Sequence, residues 1–207
     1  MTQQESLTLI AEMIQQTKRR YSLEDGNVLL VWGYLSVITC LVTVGAGYLT
    51  HSGMANWLWF LIPLLGMGYT YWSARGKETE GYARTYPERI VNRTWTIIGH
   101  SAWVLSAICA SFHYATGNHA VWSLMLIYAL LIVGLGVVFT GIVLEEKSVM
   151  FGGCVGALCG VLLICAKLVG VSFSGWWVVL MYIVSFTLML IVPGHIIKAK
   201  ARRQLCA

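Results

Sequence analysis

The chain has 207 residues, of which 57% are hydrophobic and only 11% charged, and its mean hydropathy is +0.70. A water-soluble domain coats its surface with about 25% charged residues, so this composition excludes an ordinary soluble fold and leaves no room for a separate soluble domain. The formal charge of +5 is modest, and its distribution along the chain says more than its sum.

Residues 2–21 read as an amphipathic helix. Thr2 and Glu5 have the spacing of a capping box, Leu7, Ile10 and Ile14 recur at helical intervals, and Lys18, Arg19 and Arg20 suit the negative end of the helix dipole. The apolar face is too short to span, so this helix is expected to lie along the membrane or against a partner, joined to the rest by a linker that ends near residue 27. No short apolar stretch with a small-residue cleavage site precedes it. The first spanning helix is therefore expected to target the chain.

Six apolar runs follow, at about 28–49, 55–72, 94–115, 120–144, 148–170 and 175–197. Each is long enough to cross a hydrocarbon core of about 30 Å. The expected fold class is an all-α membrane protein of six transmembrane helices, arranged as three hairpins with short outer turns. A basic tail, residues 198–207, closes the chain. Every lysine and arginine except Lys167 falls on one side of this arrangement. The positive-inside bias then places both termini in the cytoplasm.

Thr85, Pro87 and Glu88 mark a helix start just before the third run. Arg89 and Arg93, four residues apart, share a face of that helix. With Arg202 and Arg203 of the tail they form a basic rim, suited either to anionic lipid headgroups or, with Leu7, Ile10 and Ile14, to a docking cytoplasmic protein. The basic groups are scattered and lack a recognition fold, so nucleic acid is not an expected partner.

Gly152, Gly156 and Gly160 line one face of the fifth run, where another helix backbone can approach closely. Spacing alone leaves open whether that helix belongs to the same chain or to a second copy in a homo-oligomer. Three polar groups fall within the spans: His100, its neighbour Ser101, and Lys167. An ionisable group at membrane depth is a site hypothesis by default. The bland alternatives are a hydrogen-bonded neutral histidine and a lysine that reaches for the outer surface.

All nine carboxylates lie in connections or at helix ends, which argues against proton- or sodium-coupled carriers, since these place acids within the bilayer. Asp25 is the single aspartate, so the clustered aspartates of magnesium-dependent lipid-headgroup transferases are missing. The segment around Ser172 and Ser174 does not satisfy G-x-S-x-G, and His195 falls at the far end of the sixth run, which argues against a serine nucleophile. The six cysteines form no C-x-x-C pair. His51, His113 and His119 lack the spacing of a metal site. Neither a metal nor any other cofactor is expected, and no catalytic constellation stands out.

Several stretches taken together resemble a family of small, uncharacterised bacterial inner-membrane proteins of about this length. They are Glu5-Ser6-Leu7 leading to Glu12-Met13-Ile14, Val31-Trp32-Gly33, Thr85-Tyr86-Pro87-Glu88-Arg89 and Ile191-Val192-Pro193-Gly194-His195. The resemblance implies six helices and an inner-membrane location; the family has no established activity to carry over. The expected function is a non-catalytic scaffold or sensor subunit that docks a cytoplasmic partner, with a channel or carrier for a small neutral solute as the alternative.

Overall fold

Leucine, valine, alanine and methionine dominate the apolar runs, and in a solvent without hydrogen bonds the helix satisfies every backbone group within its own segment. The computed structural model describes the backbone of residues 3–50, 53–79, 86–173 and 175–205, and the side chains of 26–50, 55–75, 86–118, 120–173 and 175–203. Every regular element among these residues is helical. The helices are α1 (Gln3–Thr50), α2 (Leu61–Thr79), α3 (Tyr86–Thr116), α4 (Ser123–Val143), α5 (Lys147–Leu168), α6 (Trp176–Phe186) and α7 (Val192–Leu205). Five stretches are long and apolar enough to cross a membrane: Gly26–Thr50, Tyr86–Thr116, Ala120–Val143, Lys147–Leu168 and Trp176–Arg203. The protein is thus a helical, multi-pass membrane protein.

The structure departs from the sequence expectation in two elements. The linker expected before residue 28 is helical, so the N-terminal segment and the first span form one continuous α1 of 48 residues. Gly26 and Asn27 are poor helix formers, but Gly26 sits against α7, where an added Cβ would come within 3.1 Å of the Gly194 carbonyl oxygen and 3.5 Å of Ile197. Tertiary packing holds the helix through the weak point. Leu7, Ile10 and Ile14 lie outside the residues whose side chains are described.

The second departure is the run expected at 55–72, which is not among the five long apolar helices. It begins as a 3₁₀ segment, Gly53–Phe60, and continues as α2. Pro63 has no N–H to give to the Trp59 carbonyl and its ring crowds that group, so an α-helical ladder cannot run unbroken across it.

Neighbouring elements run antiparallel. The 3₁₀ segment and α2 lie along α1: Ala55 faces Gly47 at one end, and at the other the Trp32 indole N–H donates to Thr70 Oγ1 at 3.1 Å, over the bare face of Gly66. α6 and α7 form one long rod joined by a π-helical turn, Thr187–Ile191, before Pro193. A wide turn of this kind is where a helix accommodates a missing N–H donor. That rod packs on α1 through Gly33, Leu190 and Ile191.

The tightest interface is α4 with α5. A Cβ on Gly134, Gly141, Gly153 or Gly160 would come within 2.5–2.6 Å of backbone nitrogen on the opposing helix. The connecting turn places Glu145 at φ 56° and returns the Glu146 N–H to the Gly141 carbonyl at 2.9 Å.

The core lies where α1, α4, α5 and the α6–α7 rod meet, with Leu130, Val137, Val149, Leu163 and Met189 fully enclosed. α3 packs mainly on α4; among its described side chains only Ser106 and Cys109 are buried.

Candidate functional site

Two polar assemblies stand out against this apolar frame. The first is the basic end of the bundle. α3 starts at Tyr86 with Pro87 second and Glu88 in its first turn, and it carries Arg89 and Arg93 exposed. α7 turns Ile197 and Ala201 inward, both buried, and leaves Arg202 and Arg203 exposed in its last turn. Lys200 Nζ contacts Glu146 Oε2 at 2.6 Å, tying α7 to the α4–α5 turn. Tyr34 of α1 and His195 of α7 meet at 2.9 Å. The two arginine pairs stand on different supports: α3 packs on α4, and α7 packs on α1 and α5.

The second assembly is interior and was not singled out by the sequence. Ser36, Thr39, Cys40 and Thr43 follow helical spacing along one face of α1, and all are buried. They face α6, whose Tyr182 and Ser185 are also buried. Ser36 returns its hydroxyl to the Trp32 carbonyl at 2.8 Å. The hydroxyls of Thr43 and Ser185 are buried with no hydrogen-bond partner. Tyr182 stacks on Phe186 at 4.4 Å and meets the edge of Trp59 at 5.3 Å.

Beside this stripe lies a cavity of about 340 Å³, bounded by Cys40, Thr43, Asn56, Trp59, Phe173 and Tyr182. Its hydroxyl, amide and aromatic groups suit a neutral, mostly apolar molecule with one or two hydrogen-bonding atoms. A run of hydroxyls at positions 36, 39 and 43 is the signal that would have revealed it.

The remaining predicted residues fall elsewhere. His100 is exposed on α3 and bonds back to its own helix, Nδ1 to the Thr96 carbonyl at 2.7 Å. Ser101, also exposed, meets the Tyr128 hydroxyl at 2.6 Å. Lys167 donates to Ser123 Oγ at 3.0 Å, more than a helical turn from Tyr128 along α4. The structure therefore does not join His100, Ser101 and Lys167 into one stripe.

The glycines of α5 are occupied within the chain. Gly152 faces Leu188, Met189 and Pro193, Gly156 faces Met189 and Gly134, and Gly160 faces Leu131. No group of three or more metal-ligating side chains occurs among the described residues; His51 and His119 are outside them. Cys40, Cys109, Cys154, Cys159 and Cys165 are free thiols.

No family model matches the chain, and no curated protein or solved structure matches it. The short stretches that resemble an inner-membrane family therefore bring no activity to this site.

Proposed function

We propose that this protein is a non-catalytic scaffold or sensor subunit of a bacterial inner membrane, which presents a helical stalk to a cytoplasmic protein. The observation that carries the proposal is the continuity of α1. Its 48 residues extend about 72 Å at 1.5 Å per residue, more than twice a hydrocarbon core of about 30 Å. The N-terminal half must therefore continue beyond the span, and α7 packs against α1 where it emerges, at Gly26 and Leu30. A helix that leaves the membrane along its own axis is suited to contacting a protein rather than to resting on lipid.

This arrangement takes six crossings, the sixth made by the 3₁₀ segment with α2. The 3₁₀ segment and α2 follow α1 from Gly47 to Trp32, about 22 Å of helical rise. A sixth crossing there also gathers Arg75, Arg89, Arg93, Lys147 and the basic end of α7 on the face that bears both termini, as the positive-inside rule favours.

The test is capture of a cytoplasmic partner from native membranes in mild detergent, with intact protein compared against a variant that lacks residues 2–21 and carries Arg89→Glu. The partner should be recovered with the intact protein alone. Equal recovery with the variant contradicts the docking function.

A further inference from the structure

Among the described lysines and arginines, Lys167 is the one placed away from the basic end. It lies in the last turn of α5, whereas Lys147 begins that helix. Of the carboxylates whose side chains are described, Glu88 lies in the first turn of α3 and Glu145 and Glu146 lie in the α4–α5 turn, all toward the other end; Glu146 is some 30 Å away by helical rise. Among the described residues the ammonium thus has no acid beside it. Its described contacts are Ser123 Oγ at 3.0 Å and the face of Phe173, 5.2 Å from the ring centroid.

Lys167 does not stand alone on a smooth surface. It borders a cavity of about 350 Å³ whose polar side is formed by Asn118, Ser123 and Lys167, and whose apolar side is formed by Ile108, Phe112 and Leu124. A cation with no described acid beside it, bordering an apolar trough, calls for an occupant with an anionic head and a hydrocarbon tail. In a membrane the abundant molecule of that chemistry is a phospholipid. Lys167 supplies charge to a phosphate and the Asn118 amide NH2 a neutral donor, its Oδ1 already accepting from the Ala120 N–H at 2.9 Å. Ser123, whose hydroxyl donates to the Ala120 carbonyl at 2.6 Å, holds the ammonium in place, and an acyl chain can cover the apolar wall. Since no described acid lies here to receive a headgroup ammonium, a net anionic headgroup fits better than a zwitterionic one.

We propose that this cavity is a specific site for an anionic glycerophospholipid, with its phosphate at Lys167 and an acyl chain against Ile108, Phe112 and Leu124. The site stands whether or not the stalk docks a partner.

The test is native mass spectrometry of the detergent-solubilised full chain with added dioleoyl phosphatidylglycerol or dioleoyl phosphatidylethanolamine. The basic end can bind acidic lipid as well, so the reading is the change on substitution. Lys167→Met should weaken one phosphatidylglycerol site about five-fold, the equivalent of about 1 kcal/mol for one cation near a membrane surface. Lys167→Arg should retain that site. Leu124→Trp, which fills the apolar wall and leaves the lysine in place, should lose the same lipid as Lys167→Met. Unchanged phosphatidylglycerol binding in either Lys167→Met or Leu124→Trp overturns the proposal, as does equal retention of phosphatidylethanolamine at this site. Displacement by inorganic phosphate would identify a plain anion site instead, which also overturns it.

Discussion

Most hydroxyls in these helices bond to a carbonyl of their own helix. Ser36, Thr70, Thr94, Thr116 and Thr140 all donate to the residue four positions earlier, the usual way a helix absorbs a serine or threonine. Thr43 and Ser185 are buried and do not. An unsatisfied buried hydroxyl costs about 1–3 kcal/mol, so Ser185→Ala should raise the thermal midpoint of the purified protein or leave it unchanged. A clear fall on that substitution would show that Ser185 has a bonding partner in the membrane. This stripe was hard to read in sequence because isolated hydroxyls in apolar runs are normally satisfied in place, and only the three-dimensional pairing of α1 with α6 shows which are not. Lys167 was legible, since a cation at membrane depth stands out in any apolar run. Its partner Ser123, 44 positions away, was not.

At the scale of elements, the fifth run announced its own packing face and said nothing of what would meet it. The structure shows that Gly152 and Gly156 face the α6–α7 rod while Gly153 and Gly160 face α4, so α5 is gripped from both sides. Gly153→Ala would place a methyl carbon within 2.5 Å of the Val138 nitrogen. Overpacking of that kind costs about 1–3 kcal/mol. Gly68→Ala is the control: nothing lies within 4 Å of the added atom, and alanine favours a helix interior by about 0.5–1 kcal/mol. Thermal unfolding in detergent should separate the two in sign; equal midpoints would show that α4 and α5 are not closely packed.

Helix existence was legible almost throughout, because apolar length alone implies a helix in lipid. Helix continuity was not. The polar stretch around Gly26 and Asn27 reads as a linker, and only contact with Gly194 and Ile197 reveals why it stays helical. Pro63 and Pro193 were visible as residues, yet their consequences, a 3₁₀ entry and a π turn, depend on how the surrounding helix gives way.

For the whole molecule, the decisive question is how many times the chain crosses. Five helices are long and apolar enough to do so, and an odd number would send the connection that carries Arg75, Arg89 and Arg93 to the face opposite the N-terminus. The shared basic rim and the stalk beside it exist only if the segment from Gly53 to Thr79 crosses as well. The measurement that bears on this most directly is single-cysteine labelling with a membrane-impermeant maleimide, in a chain from which the six native cysteines have been replaced. The two reporter positions are Ser52→Cys and Ala83→Cys, examined in right-side-out and inverted vesicles. With six crossings, Ser52→Cys labels in right-side-out vesicles alone and Ala83→Cys in inverted vesicles alone. Labelling of both from the same side would mean that the second segment turns back, and would contradict the six-crossing stalk.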